Sequence, residues 1–256
     1  MTQHDVVDWR VWKSAVVATD GQPLYPGGQA PKAGDRLYVV TTLKQSPLGA
    51  FTFITPSPTS LALSVTIAAA QSAVRIRSAI KLEPSTQPGQ PEWLSTASLR
   101  DLYSYFEQCM VAVTFSYQAM EAWSNQVIEE SVVGTHEVKR KKVVNRWTGP
   151  EIERNCSTEE KLGTIIPEVT KFQTPRGSRN WQRLKHLKEL RDSTIHLKSG
   201  DQYVRGASSE TTLYSRLLAA DPLEFPRTAI AIIKHFSGKP EGQEWLAGAE
   251  AQLAQS

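Results

Sequence analysis

Residues 99–128 read LRDLYSYFEQCMVAVTFSYQAMEAWSNQVI, and this stretch decides the fold. Its apolar residues return at steps of three and four, which is the spacing of one face of an α-helix. The stripe consists of Leu99, Leu102, Phe106, Met110, Val113, Tyr117, Met120, Ser124 and Val127. At about 1.5 Å per residue such a helix spans roughly 45 Å. We therefore expect it to be the central helix of a mainly helical protein.

Helical patterns also lie on both sides of this stretch. Ser57 followed by Pro58 is typical of a helix start, with a capping hydroxyl and a proline in the first turn. The face expected to be buried in that helix comprises Leu61, Val65, Ala68, Ser72, Ile76 and Ile80. Ser157 and Glu160 form a capping-box pattern before another apolar segment, which Pro167 is expected to end or kink. Further helices are predicted near the C-terminus.

Residues 1–56 have a different pattern. Residues 36–42 (RLYVVTT) and 50–55 (AFTFIT) are short β-like runs, and a loop rich in Gly and Pro precedes them. So small a β-meander buries little by itself, and it is therefore expected to pack on the helical part of the chain. We predict a mainly α fold, with an up-and-down helical bundle over residues 57–256 and a small β-rich N-terminal extension over residues 1–56.

The composition excludes several classes of protein. Of 256 residues, 40% are hydrophobic and 21% charged, which is typical of a folded chain rather than a disordered one. The two cysteines, Cys109 and Cys156, are too few for a disulfide framework or a four-thiolate zinc site. The five histidines are dispersed, and the common phosphate-loop, zinc and serine-hydrolase motifs are absent from the sequence. We expect neither a metal nor a cofactor.

The location of the protein can also be predicted from composition. The N-terminal residues are polar, without the apolar stretch of a secretory signal. The most apolar run, residues 61–70, is about half the length of the roughly 20 residues that a bilayer requires. We therefore expect a cytoplasmic protein that does not associate with a membrane.

Positive charge is concentrated in two segments, although the net charge is only +3. Residues 136–146 (HEVKRKKVVNR) contain Lys139, Arg140, Lys141, Lys142 and Arg146 against a single carboxylate. Residues 176–198 contain seven Lys or Arg against two acids. Such segments bind the phosphate backbone of nucleic acids, with a strong dependence on salt. Lys139, Arg140, Lys141 and Lys142 form a continuous run in the first of these segments, and a solvated loop is one interpretation of it.

Arg191 is an unusual residue in its helix. On a helical wheel, Leu184, Leu187 and Ile195 lie on one side, and Arg191 falls within the same apolar arc. A guanidinium always carries its charge and five donors, and burying it without a partner is costly. Arg191 must therefore meet an acid, a carbonyl or an anion supplied from outside. A salt bridge to a core-facing carboxylate such as Glu121 is the purely structural alternative.

His196 comes five residues after Arg191, or about 140° around an ideal helix. The two side chains therefore do not share a face unless the helix frays or bends, or unless they meet their counterparts across a dimer. Asp192 stands four residues before His196, a spacing at which its carboxylate can hold the imidazole and raise its pKa. A surface Asp–His pair that caps the helix end is the alternative interpretation.

Residues 191–196 (RDSTIH) resemble the Arg-x4–6-His motif of the HEPN superfamily, in which a polar residue often comes after the arginine. Three further segments resemble the family in order along the chain. They are residues 115–128, similar to the family's long helix, residues 157–169 (STEEKLGTIIPEV), similar to the segment before the motif helix, and residues 213–236, similar to the closing helix. The resemblance spans residues 60–237 and leaves the N-terminal extension outside the family's pattern.

The resemblance implies a helical bundle that forms a homodimer and brings two Arg-His motifs into one cleft. Many members are metal-independent endoribonucleases that act as toxins of toxin-antitoxin pairs or in prokaryotic antiviral defence. In that role His196 would be the general acid and base, Arg191 the phosphate clamp and Asp192 the orienting residue. RNA would be the substrate, with its backbone bound by the basic run Lys139, Arg140, Lys141 and Lys142, and an antitoxin or regulatory protein would be a partner. Other members are not catalytic, so a helical dimer that binds RNA or protein is the alternative function.

Overall fold

A computed structural model describes residues 8–11, 14–22, 29–84, 92–140, 143–197, 212–237 and 244–255. The helices in these residues are α1 (Pro58–Ala79), α2 (Thr96–Ser131), α3 (Gly149–Asn155), α4 (Thr158–Glu160), α5 (Ile166–Thr170), α6 (Arg179–Ile195), α7 (Leu213–Ala219), α8 (Glu224–His235) and α9 (Glu244–Ala254). A π-helical turn, Lys161–Ile165, joins α4 to α5. The prediction of a mainly α fold is therefore confirmed.

The strands pair locally. The described residues contain four two-stranded antiparallel sheets: β1 (Ser14–Val16) with β2 (Arg36–Tyr38), β3 (Val40–Leu43) with β4 (Phe51–Ile54), β5 (Leu82–Glu83) with β6 (Trp93–Leu94), and β7 (His136–Arg140) with β8 (Val143–Trp147). The predicted β-runs at 36–42 and 50–55 are confirmed. They do not form one meander, because β1–β2 and β3–β4 are separate sheets.

Helix α2 is the central helix, as predicted, and it is 36 residues long. Most of the predicted stripe is buried, including Phe106, Val113, Tyr117 and Met120, whereas Leu99 near the start is exposed. Helix α1 packs along α2, and α6 and α8 pack on it as well. Thr66 of α1 donates a hydrogen bond of 2.7 Å to the buried backbone carbonyl of α2 at Ala112.

The prediction of which face of α1 is buried is wrong. Leu61 and Val65 are 40% and 39% exposed. The buried residues are Thr59, Ser60, Ala62, Leu63, Thr66, Ile67, Ala69, Ala70 and Ala73. Helix α1 is apolar on most of its sides, so its periodicity does not select one face. Its length and composition would also allow it to cross a membrane, but half of its apolar window is buried inside the protein, as in a core helix.

The N-terminal extension contacts the helical part of the chain. The backbone carbonyl of Arg10 accepts hydrogen bonds from the Ser57 amide, at 2.7 Å, and from the Ser60 hydroxyl, at 2.8 Å. Trp9 lies so close to Gly248 of α9 that a Cβ there would be 2.4 Å from the Cβ of Trp9. The extension therefore packs on both α1 and α9, as the sequence predicts. Ser57 caps α1 with Pro58 in the first turn, also as predicted.

The π-helical turn holds a buried lysine. Lys161 is 1% exposed, and its Nζ donates to the Asn125 Oδ1 at 2.7 Å and to the Glu153 carbonyl at 2.8 Å. These bonds connect the turn to α2 and to α3. Desolvation by burial lowers the pKa of Lys161, and the carboxylates of Glu121 and Glu153 oppose this shift. The hydrogen bonds of Lys161 therefore hold the turn against α2 and α3, although desolvation disfavours its charged form.

We predict that the titration of Lys161 makes the free energy of unfolding depend on pH. The pKa of Lys161 is lowered in the folded protein, so between that value and the ordinary lysine value of 10.5 the unfolded chain binds more protons. A rise in pH through this range therefore stabilises the native state, and Lys161→Met removes the effect. The free energy of unfolding of wild type minus that of Lys161→Met should increase with pH, as measured by urea unfolding between about pH 7 and 10.

Lys185→Met is the matched control, since Lys185 is an exposed lysine on α6. It reports the general effect of removing one positive charge. If the pH slope of the Lys161→Met difference equals that of the Lys185→Met difference, burial does not shift the titration of Lys161.

Candidate active site

Helix α6 carries the residues of the predicted motif and is anchored by its apolar face. Leu184, Leu187 and Leu190 are buried. The helix begins at the cap residue Ser178, whose hydroxyl accepts the Trp181 amide at 3.1 Å. The prediction that Ile195 faces the core is wrong, because Ile195 is 52% exposed at the last turn of the helix. The end of α6 therefore projects from the core into solvent.

Arg191 finds its partners on α2 and on its own helix. Its guanidinium carbon lies 4.1 Å from the centroid of the buried Tyr117 ring, a cation–π contact. Its Nη1 donates to the Asp192 Oδ1 at 2.8 Å. Arg191 thus forms a salt bridge with a carboxylate, but the partner is Asp192 of its own helix rather than a core-facing acid such as Glu121. The Arg191 side chain remains 23% exposed.

Asp192 binds cations rather than the imidazole. Its Oδ2 accepts from the Lys188 Nζ at 2.9 Å, and its Oδ1 accepts from Arg191. No hydrogen bond joins the side chains of Asp192 and His196 within the described structure, so the predicted carboxylate–imidazole contact is not formed. The reason is electrostatic, because Asp192 already accepts hydrogen bonds from two positively charged side chains, and charge-assisted hydrogen bonds are the stronger ones.

His196 is the C-cap residue of α6. Its backbone amide donates to the Asp192 carbonyl at 2.9 Å, and its φ and ψ of −115° and 66° have left the helical region. The side chain is exposed, and no described residue donates to or accepts from the imidazole. The helix therefore ends at His196, whose imidazole is exposed and makes no hydrogen bond to a described residue.

A groove of about 510 Å³ lies beside His196. Its lining residues are Glu189, Asp192, Ser193, His196 and Arg216. Arg191 does not line this groove, so one protomer does not bring Arg191 and His196 into the same depression. Arg216 comes from α7, and its Nη2 donates to the Ser193 Oγ at 2.7 Å. The sequence reasoning missed Arg216, because no spacing rule connects residues of two helices that meet only in the tertiary structure.

The cationic residues of the predicted RNA-binding run have different environments. Lys139 is exposed on β7. Arg140 donates to the Glu160 carboxylate at 2.8 and 2.6 Å and to the Asn155 carbonyl at 2.6 Å. Its charge is thus already engaged in holding the hairpin to α4, and it is not a free cation for a phosphate. Lys141 and Lys142 lie outside the described residues.

We predict that the ring of Tyr117 and the charge of Arg191 are energetically coupled. A double-mutant cycle of Tyr117→Leu and Arg191→Met should give a coupling energy of about 1 kcal/mol, since the contact is partly desolvated. The energies come from urea unfolding of the four proteins. The control cycle pairs Tyr117→Leu with Arg183→Met, because Arg183 is on α6 but bonds to Glu224. Equal coupling in the two cycles would contradict the stacking.

Among the described residues, no group of three or more His, Cys, Asp or Glu side chains is placed to hold a metal ion. Comparisons with known protein families, with curated proteins and with solved structures give no match. The case for a function therefore depends on the chemistry of the groove at the end of α6, and on the order of the helices that surround it.

Proposed function

We propose that this protein is an endoribonuclease of the HEPN type, in which the 2′-hydroxyl of RNA attacks the neighbouring phosphate. The observation that carries the proposal is the exposed His196 imidazole at the end of α6, in a groove that also holds a cation and a carboxylate. Imidazole, with an ordinary pKa of about 6.5, is the side-chain group that can both accept and donate a proton near neutral pH.

The arrangement of helices supports the proposal. The four segments that resemble the family fall on α2, on α4–α5, on the end of α6 and on α7–α8. Helix α6 packs against α2, α7 and α8, so these elements surround the motif. We therefore propose that the helical part is an up-and-down bundle of HEPN type.

The reaction needs no nucleophile from the protein. An imidazole takes the proton of the 2′-hydroxyl, the 2′-oxygen forms a bond to phosphorus, and the bond from phosphorus to the 5′-oxygen breaks. A protonated imidazole then supplies the proton of the leaving 5′-hydroxyl. The products are a 2′,3′-cyclic phosphate and a 5′-hydroxyl. Arg191 would stabilise the charge that develops on the phosphate.

A homodimer would supply what one protomer lacks. Arg191 stacks on Tyr117 whereas His196 lines the groove, so two copies of the helix end are needed to bring Arg191 and an imidazole to one phosphate. Asp192 would position Arg191, its hydrogen-bond partner, rather than the imidazole. We further propose a cytoplasmic role in prokaryotic defence or in a toxin-antitoxin pair, controlled by an antitoxin or regulatory protein.

The second candidate is a non-catalytic helical dimer that binds RNA or another protein. One observation favours it: Arg191 already has an acid and an aromatic ring as partners, so its charge is satisfied without any substrate. In that case Arg191 and His196 would have structural roles only.

Replacing His196 tests the proposal. Wild type should cleave single-stranded RNA with equal rates in buffer and in EDTA, and His196→Ala should lower the rate by at least about 100-fold through loss of proton transfer. His186→Ala is the matched control, since His186 is an exposed histidine on the same helix, and it should cleave as wild type does. Cleavage is measured on denaturing gels, and the cyclic phosphate end is identified by mass spectrometry.

Equal cleavage by wild type and His196→Ala would show that the activity does not use this residue. RNA binding without cleavage by any of the three proteins, at every RNA tested and with a confirmed dimer, would favour the non-catalytic candidate.

A further inference from the structure

Arg216 is a cation without a carboxylate partner in the described part of the chain. No described acid lies within ion-pair distance of its guanidinium, and its one described hydrogen bond goes to the neutral Ser193 hydroxyl at 2.7 Å. The Arg216 Nε is buried and has no hydrogen-bond partner among the described residues. Arg140 and Arg227, by contrast, are paired with Glu160 and Asp221. An unsatisfied buried donor in a native structure requires an explanation, and a functional role is one such explanation.

The Arg216 guanidinium lies in the groove beside His196. Arg216 and His196 line the same groove, although they come from α7 and α6. Ser193 holds the guanidinium in place. Its Oγ accepts a hydrogen bond from Arg216 and donates one to the Glu189 carbonyl at 2.9 Å. A guanidinium held in this way loses little conformational entropy when it binds an anion.

The two carboxylates that line the groove, Asp192 and Glu189, would affect a bound anion differently. The Asp192 carboxylate is already neutralised by Arg191 and Lys188. Glu189 is exposed at the edge of the groove and has no ion pair in the described structure. An anion bound to Arg216 would therefore be attracted by the guanidinium and repelled by the Glu189 carboxylate. A small anion would bind weakly under these conditions, whereas a polymeric anion gains affinity from further contacts along its length.

We propose that Arg216 binds a phosphodiester of RNA next to His196, and that it does so within one protomer. This proposal rests on the proposed function, since it identifies the groove beside His196 as the path of the RNA backbone. A guanidinium suits this ligand because its planar fork matches two phosphate oxygens. Arg216 would be a substrate-binding residue that presents the ribose 2′-hydroxyl to the imidazole of the same protomer, while Arg191 would meet the phosphate only across the proposed dimer.

Binding to an RNA that cannot be cleaved tests Arg216 separately from catalysis. The probe is a fluorescent 2′-O-methyl RNA oligonucleotide, monitored by anisotropy at several salt concentrations. Arg216→Ala should weaken binding about tenfold and reduce the slope of log K against log salt by about one, as expected for the loss of one phosphate contact. Arg216→Lys should keep the slope but lose part of the affinity, because the ammonium lacks the planar fork.

Two further variants complete the test. Glu189→Gln should bind the probe more tightly than wild type, because it removes the repelling carboxylate without removing a contact of Arg216. Arg227→Ala is the matched control: Arg227 is an arginine on α8 that pairs with Asp221, and its loss should change the affinity less than twofold. Circular dichroism melting establishes that each variant is folded, and Arg216→Lys and Glu189→Gln carry the test if Arg216→Ala does not fold.

The outcomes separate this inference from the proposed function. If Arg216→Ala and Arg216→Lys bind the probe as tightly as wild type, and Glu189→Gln does not bind it more tightly, the inference is wrong even when His196→Ala abolishes cleavage. If the Arg216 variants weaken binding while no protein cleaves RNA, the phosphate site is real and the ribonuclease proposal fails.

Discussion

The structure depends on the burial of one long helix. A helix of 36 residues gains little stability from its own hydrogen bonds in water and needs packing along its length. Helix α2 obtains this packing from three other helices, because α1, α6 and α8 all contact it. Between α1 and α2, the buried Thr66 hydroxyl bonds to the α2 carbonyl at Ala112, which fixes the two helices along their axes.

That packing places the candidate site. Three buried leucines, Leu184, Leu187 and Leu190, hold α6 in the core, and the stacking of Arg191 on Tyr117 fixes its last turn to α2. The helix then ends at His196, where no described side chain competes for the imidazole. The same contact that stabilises α6 thus withdraws Arg191 from the groove and leaves Arg216 as the cation beside the histidine.

The success of the sequence predictions depends on the strength of each pattern. The α2 stripe alternates apolar and polar sides, so its buried face is predictable, and the cap at Ser57 and Pro58 is a local signal that needs no tertiary information. Helix α1 is apolar on most sides, so its repeat does not distinguish the exposed Leu61 from the buried Leu63. The exposure of Ile195 results from the end of the helix, which periodicity does not locate.

The charged residues can be found from the sequence, but their partners cannot. Lys188 and His196 are each four residues from Asp192, so helical spacing alone does not choose between them; in the structure the carboxylate pairs with Lys188 and Arg191. Arg216 comes 23 residues after Ser193, and only the packing of α7 against α6 brings them to 2.7 Å. A ribonuclease site in this fold would therefore differ from the linear motif in one respect: the arginine that lines the groove with the imidazole belongs to another helix, whereas Arg191 stacks on Tyr117 of α2.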